Sequence, residues 1–333
     1  MRGVLLPVGL ATGIGSLPHD DMQAGIDCVL THLPRLPAAP SLPRRSPVEG
    51  MVAQAAWGIS GVLVLPDGSL LVDEAAVHPD EPLVDGGIGG EPFAAMRGFL
   101  GAIEGRVAPF KLQLTGPVTL GLALHAVGVP ADRAFAVASV AVQARIRATL
   151  LAARHAAPGA TSLLFLDDPG LTAALHPGFP LPVEDTLDLV SSALAVIEER
   201  AVAGLHCCGR ADWPAVLQAG PQILSMPVDA GADEHAGAFA GFLERGGWIA
   251  WGAVPTDGPL GDSPDMLWRR MTAVWDALVL GGCDRSLLVE RAMITPACGL
   301  AGQDPHQAGR VLELAGHLAQ RAEAQALALG VGA

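Results

Sequence analysis

The sequence predicts an α/β fold, a single (β/α)8 TIM barrel, on three observations. Short apolar runs alternate with longer segments of helical period, the pattern of parallel strands joined by crossover helices. Eight such runs can be counted, at residues 10–16, 38–42, 110–115, 162–167, 204–208, 223–228, 248–253 and 292–297. The composition agrees: 50% of the residues are hydrophobic and only 16% are charged, as strands buried on both faces require.

Each element has its own signal, and the run at 38–42 has the weakest. Helical period fills 20–33, 91–104, 131–155, 183–201, 234–244, 264–280 and 305–329. Asp20 and Asp21 put negative charge at the start of the first of these, where the helix dipole favours it. Residues 61–73 break the alternation and read as a small β-hairpin insertion turning at Pro66-Asp67-Gly68. The proline cluster from Pro34 to Pro47 reads either as a stiff surface loop or as a cover over the barrel mouth. With 333 residues, no internal repeat and no Ser, Gly or Pro linker, the whole span 1–333 is expected to be one domain.

Charge and cysteine usage exclude several classes. The 34 acidic and 20 basic residues give a formal charge of −14, a field that repels phosphate backbones and anionic membrane surfaces. Neither nucleic acid nor membrane is therefore an expected partner. No run reaches the roughly 18 to 20 uninterrupted apolar residues of a membrane span, and residues 4–11 are too short and wrongly flanked for a signal peptide. Five cysteines, an odd number, make no disulfide framework and are expected to be reduced or metal-bound in a cytoplasmic protein.

Residues at the carboxyl ends of barrel strands share one mouth, where chemistry is done. Gly204-Leu205-His206-Cys207-Cys208-Gly209 ends an expected strand, so alternation puts His206 and Cys208 on one face and Cys207 on the other. Cys298, in Ile294-Thr295-Pro296-Ala297-Cys298-Gly299, ends another, and barrel closure brings the two ends together. One imidazole and two thiolates leave zinc an open position, the pattern of a catalytic rather than a structural site. Spacing alone leaves two other readings open: a buried strand end with inert thiols, and a cysteine nucleophile.

Several segments resemble one family. Gly13-Ile14-Gly15-Ser16-Leu17-Pro18 resembles the IGSxP motif in the catalytic domain of cobalamin-independent methionine synthase, and Leu114-Thr115-Gly116-Pro117-Val118-Thr119 is similar to its LTGPVT segment. Leu166-Asp167-Asp168-Pro169 resembles its IDEP, with Asp168 in place of glutamate. His206 and Cys208 match its His-x-Cys zinc pair, and Thr295-Pro296-Ala297-Cys298-Gly299-Leu300 matches the segment with the remaining cysteine ligand. The matches keep the family's order from about residue 12 to 300. The HCCG form also resembles zinc methyltransferases of the related uroporphyrinogen decarboxylase superfamily, which accept methyl groups from corrinoid proteins.

The resemblance implies a (β/α)8 barrel that binds Zn2+ through His206, Cys208 and Cys298 and methylates a small-molecule thiol, such as homocysteine. It also implies a methyl-corrinoid protein as a candidate donor and Asp167 as holder of the substrate ammonium. The backbone of Ile14, Gly15 and Ser16 is expected to meet the substrate carboxylate, because glycine permits close approach and Ser16 adds a donor. Asp168 is expected to cap a turn or helix.

Two departures bear on the donor and the metal. The family has a glutamate ligand after its His-x-Cys, but Pro227 stands at that place here, with Asp229 out of register by two. The long amino-terminal half of full-length methionine synthase has no counterpart in this sequence, so a folate donor is not expected. Competing readings are a uroporphyrinogen-decarboxylase-like lyase that holds substrate carboxylates with Arg44 and Arg45, and a non-catalytic ligand-binding barrel. His19 is expected to be solvated beside Asp20, Trp251 to lie in the core, Cys28 and Cys283 to be packing residues, and His125 and His235 to sit near loops.

Overall fold

A computed structural model describes residues 6–331 apart from 82, 175, 177, 259, 260 and 262. Its strands are β1 (Leu10–Ala11), β2 (Val62–Val64), β3 (Leu70–Val72), β4 (Phe110–Thr115), β5 (Ser162–Asp167), β6 (Val202–His206), β7 (Ile223–Pro227), β8 (Trp248–Val254) and β9 (Ala292–Pro296). Seven of them form one parallel sheet in the order β1-β9-β8-β7-β6-β5-β4. Helices connect successive strands, the arrangement that parallel pairing demands.

The sheet curls until both of its edges reach segment 37–41. On one side Lys111 N donates to Pro37 O at 2.9 Å and Ala39 N to Lys111 O at 2.9 Å. On the other, Leu17 N donates to Ser41 O at 2.9 Å and Ser41 N to Gly15 O at 3.1 Å. The strand expected at 38–42 is thus replaced by two isolated parallel bridges, Ala38 with Lys111 and Ser16 with Ser41. Pro37 and Pro40 have no N–H to give to a ladder, which is why the pairing stays local. The run expected at 10–16 shortens to β1 for a related reason. Gly15 takes φ 149°, and a Cβ there would collide with the Gln113 side chain.

Alternation along the strands divides the apolar residues between two cores. Phe110, Leu112, Leu114, Leu164, Leu166, Leu205 and Leu224 belong to the large core that packs sheet against helices. Leu163, Phe165, Ile223, Ala250 and Met293 turn the other way and form a small core with Leu10 and Leu36 inside the curl. Lys111, Gln113, Asp167, His206 and Ser225 share the register parity of this inner set, so polar side chains stand above an apolar plug.

The expected helices form as Met22–His32, Ala94–Ala102, Ala131–Ala156, Val183–Glu198, Ala236–Glu244, Pro264–Leu280 and Pro305–Leu329. Asp21 caps the first, accepting from Ala24 N at 2.8 Å, which moves its start past Asp20. Unexpected helices are Met51–Ala56, Pro117–Ala126, Trp213–Gln218 and Arg285–Glu290, mostly too short for a periodic signal. The hairpin forms as β2 and β3, closed by Leu65 N to Ser69 O at 2.9 Å. Among the described residues one helix, Ala131–Ala156, is long and apolar enough to cross a membrane. Here it packs as a core helix: Val137, Ala138 and Ala141 are buried, and Arg145 at its middle donates to the carbonyls of Trp57 and Gly87.

Candidate metal centre

His206 is the last residue of β6, and the main chain keeps its sheet register beyond it: Asp168 N donates to His206 O at 2.8 Å and Cys207 N to Ser225 O at 3.1 Å. Cys207 therefore turns into the large core with no exposure, while Cys208 turns back toward His206. Cys298 follows the end of β9, tied there by Ala297 N to Val254 O at 2.9 Å. One ligand atom each from His206, Cys208 and Cys298 lies within 4.8 Å of the others. Gly299 completes the approach, because a Cβ at that position would strike the Ser16 hydroxyl.

The imidazole is oriented for coordination. Its Nδ1 lies 3.0 Å from Ser225 Oγ, and its Nε2 is buried with no hydrogen-bond partner. A bare, buried ring nitrogen beside two thiols is the state a metal ligand is left in without its ion. The thiols act on each other. Cys298 is held down, first by Cys208 and then by His206, while Cys208 is pushed up by the same contact. The two thiols thus favour a shared first negative charge, which the imidazole of His206 supports.

A cavity of about 280 Å³ opens against this cluster and is lined also by Ile14, Ser16, Gln113, Asp167 and Glu49. Asp167, the last residue of β5, is buried with Oδ1 unpartnered. Burial raises its carboxyl, opposed by Lys111 and then His206. Lys111 itself is wholly buried. Its ammonium donates to Ile14 O at 2.6 Å, lies 4.7 Å from the Phe165 ring centre, and is held down to about 8 by desolvation. The carbonyls of Ile14, Gly15 and Ser16 accept from Lys111, Ser41 and Leu300 respectively, whereas the amides of these three residues donate no hydrogen bond among the described residues.

Asp168 is a cap, but for a different helix than the sequence suggests. The turn Pro169–Thr172 that follows it takes no side-chain bond from it. Instead Asp168 accepts from Val118 N at 3.1 Å, Thr119 N at 2.7 Å and Thr119 Oγ1 at 2.6 Å, closing the start of Pro117–Ala126. Burial raises its carboxyl to about 6 despite these bonds.

Other expectations need correcting. His19 is buried at 8% exposure rather than solvated, its Nδ1 unpartnered, and burial lowers its pKa against the pull of Asp20 and Asp21. Arg45 is bonded to Glu49 and, at 2.8 Å, to Glu91, and neither it nor Arg44 lines the cavity. Asp229 is exposed and stands outside the three-ligand cluster. Trp251 does lie in the core as expected, buried against Trp275 with ring centres 6.3 Å apart. Cys283 is buried and Cys28 partly so. Sequence reasoning missed Lys111, Gln113, Glu49 and Ser225. The first two had a signal: polar residues at alternate positions of Phe110-Lys111-Leu112-Gln113-Leu114-Thr115 mark an inward polar face in a buried strand.

No protein-family model and no curated protein matches the sequence. Among solved structures the chain is similar to a Listeria monocytogenes protein described provisionally as a vitamin-B12-independent methionine synthase, at 16% identity and a TM-score of 0.46. That likeness covers 64% of each chain, so it spans less than two thirds of the Listeria protein. A GH10 xylanase with a bacterial Ig-like domain, from termite gut, is similar at 11% identity over 99% of this chain and 81% of that one, with a TM-score of 0.37.

Proposed function

We propose that this protein is a zinc-dependent methyltransferase that methylates homocysteine or a similar amino-acid thiol. The observation that carries the reading is the meeting of His206, Cys208 and Cys298 on the wall of a cavity that also holds the unpartnered carboxylate of Asp167. One imidazole and two thiolates suit zinc, and the bare Nε2 of His206 fits that use. Held by these three residues, zinc would supply Lewis acidity that stabilises an added thiolate near neutral pH.

The chain's own groups account for the rest. Ser225 keeps the His206 ring turned toward the thiols. Asp167 takes the ammonium of the acceptor, with Lys111 beneath it favouring the charged carboxylate. The amides of Gly15 and Ser16 take the acceptor's carboxylate. The thiolates of Cys208 and Cys298 would keep the site electron-rich, and so the acceptor's sulfur nucleophilic toward a methyl carbon whose bond to the donor's leaving atom breaks as the new one forms. The sequence resemblance makes a methyl-corrinoid protein one candidate donor. We further read the fold as a (β/α)8 barrel with segment 37–41 in the eighth position, and the five free cysteines as suiting the reducing cytoplasm.

Elemental analysis of purified protein tests the reading, together with an assay for methionine from homocysteine and a panel of methyl donors. About one zinc per chain is expected, lost in Cys298→Ser. Protein that carries no zinc after loading, or retains it in that variant, rules the proposal out.

A further inference from the structure

Cys208 and Cys298 line two cavities, not one. The second, of about 590 Å³, lies between the carboxyl ends of β7 and β8 and the helix Pro264–Leu280. Pro227, Val228, Leu267 and Val274 give it apolar walls, and two carboxylates, Asp229 and Asp257, stand exposed on its rim with one guanidinium, Arg270. We propose, building on the methyltransferase reading, that this cavity binds the methyl donor and that the donor is a small onium compound, a methylated sulfonium or quaternary ammonium.

The layout, size, charge and polarity of the cavity point the same way. Displacement at carbon needs the nucleophile and the leaving atom on opposite sides of the methyl group, and two cavities that share Cys208 and Cys298 give the two reactants separate approaches to the same centre. The volume lies within the roughly 300 to 1,000 Å³ of small-molecule sites. The two rim carboxylates outnumber Arg270, and on a chain of formal charge −14 they leave a net negative rim that favours a cation over a polyanionic folate. Pro227, in place of a carboxylate, leaves the wall next to the thiols uncharged.

The chemistry balances without a co-reactant. A sulfur lone pair of the acceptor thiolate forms the new S–C bond, the C–S⁺ or C–N⁺ pair departs with the leaving group, and a neutral sulfide or tertiary amine results. No proton moves in the step. An anion and a cation become two neutral groups, so apolar walls that exclude water favour the transition state over the separated ions.

Calorimetric titration of the full chain tests the proposal, with trimethylglycine and dimethylsulfonioacetate as onium probes and 3,3-dimethylbutanoate as the neutral-headed isostere. The onium probes are expected to bind at least tenfold more tightly than the isostere. That preference should vanish in the Asp229→Asn/Asp257→Asn double variant, whose exposed positions spare the fold. Val274→Trp, which fills the cavity, should abolish probe binding while zinc content and homocysteine binding persist. Equal affinity for probes and isostere overturns the proposal, as does unchanged binding in Val274→Trp. Zinc-loaded protein that binds no onium yet methylates homocysteine from methylcobalamin, with Val274→Trp as active as wild type, sinks the onium donor and leaves the methyltransferase reading standing. Protein that neither holds zinc nor methylates a thiol from any donor removes both.

Discussion

The two walls of the site are built on opposite principles. On the β4–β5 wall, ionisable groups are buried and packed among hydrogen bonds: Lys111 against Ile14 O, Asp168 against Thr119, and Asp167 with one oxygen left bare. On the β7–β8 wall the lining is Pro227, Gly252 and Ala253, and charge appears only at the exposed rim. A buried polar group is costly unless satisfied, so the first wall selects by hydrogen-bond geometry. The second offers apolar surface and an exposed rim of Asp229, Asp257 and Arg270, which asks far less of any one residue. Substitutions should therefore be felt unequally across the site.

The largest effect is expected where the walls meet. Cys208→Ser or Cys298→Ser should lower zinc affinity by roughly 100-fold or more, read by competition with a chromogenic chelator, because each removes a ligand outright. Next comes Lys111→Met on the β4–β5 wall. Removing the ammonium leaves the buried Ile14 carbonyl without its donor, a loss of about 1 to 3 kcal/mol, measurable by urea unfolding. Asp229→Asn on the opposite rim should change stability by no more than about 0.5 kcal/mol in the same assay. Equal costs at the two positions would break the comparison.

Smaller effects sharpen it. Ser225→Ala should weaken zinc binding about 10-fold by freeing the His206 ring, with little change in unfolding. Asp168→Ala should cost about 1 to 2 kcal/mol of stability through the lost cap yet leave zinc stoichiometry unchanged. The mildest test uses pH. With Lys111 held down to about 8 from 10.5, the unfolded chain binds a proton above pH 8 that the folded chain lacks. Stability from this group therefore rises with pH in that window. Buried Cys207 and Cys283, pushed up to about 11 from 9.0, act in the opposite sense at higher pH. Between pH 8 and 9 the wild type should thus gain stability relative to Lys111→Met, seen as diverging urea midpoints.

Much of this was legible in the sequence because the strands speak a simple code. The runs at 110–115 and 162–167 coincide with β4 and β5, and the two-residue spacing of His206 and Cys208 placed both toward one interior. What stayed hidden depends on contacts between distant segments. Nothing local reveals that Asp168 reaches back to the start of Pro117–Ala126, or that Ser225 on the next strand stands opposite His206 in the sheet register. The burial of His19 beside two aspartates is likewise a tertiary fact. Segment 38–42 was sensed as extended, but its prolines permitted bridges and no strand.

That segment makes the circumference of the sheet uneven. From β4 round to β9 neighbouring strands are stitched along ladders, and β1 joins β9 over two residues; here four main-chain bonds, two on each side, span the gap. Local opening is favoured where the backbone is most sparsely bonded, so Ala39 and Ser41 are where the curled sheet is expected to open first. Ser41 also lines the cavity that Asp167 lines, so this seam makes one side of that cavity its most pliable.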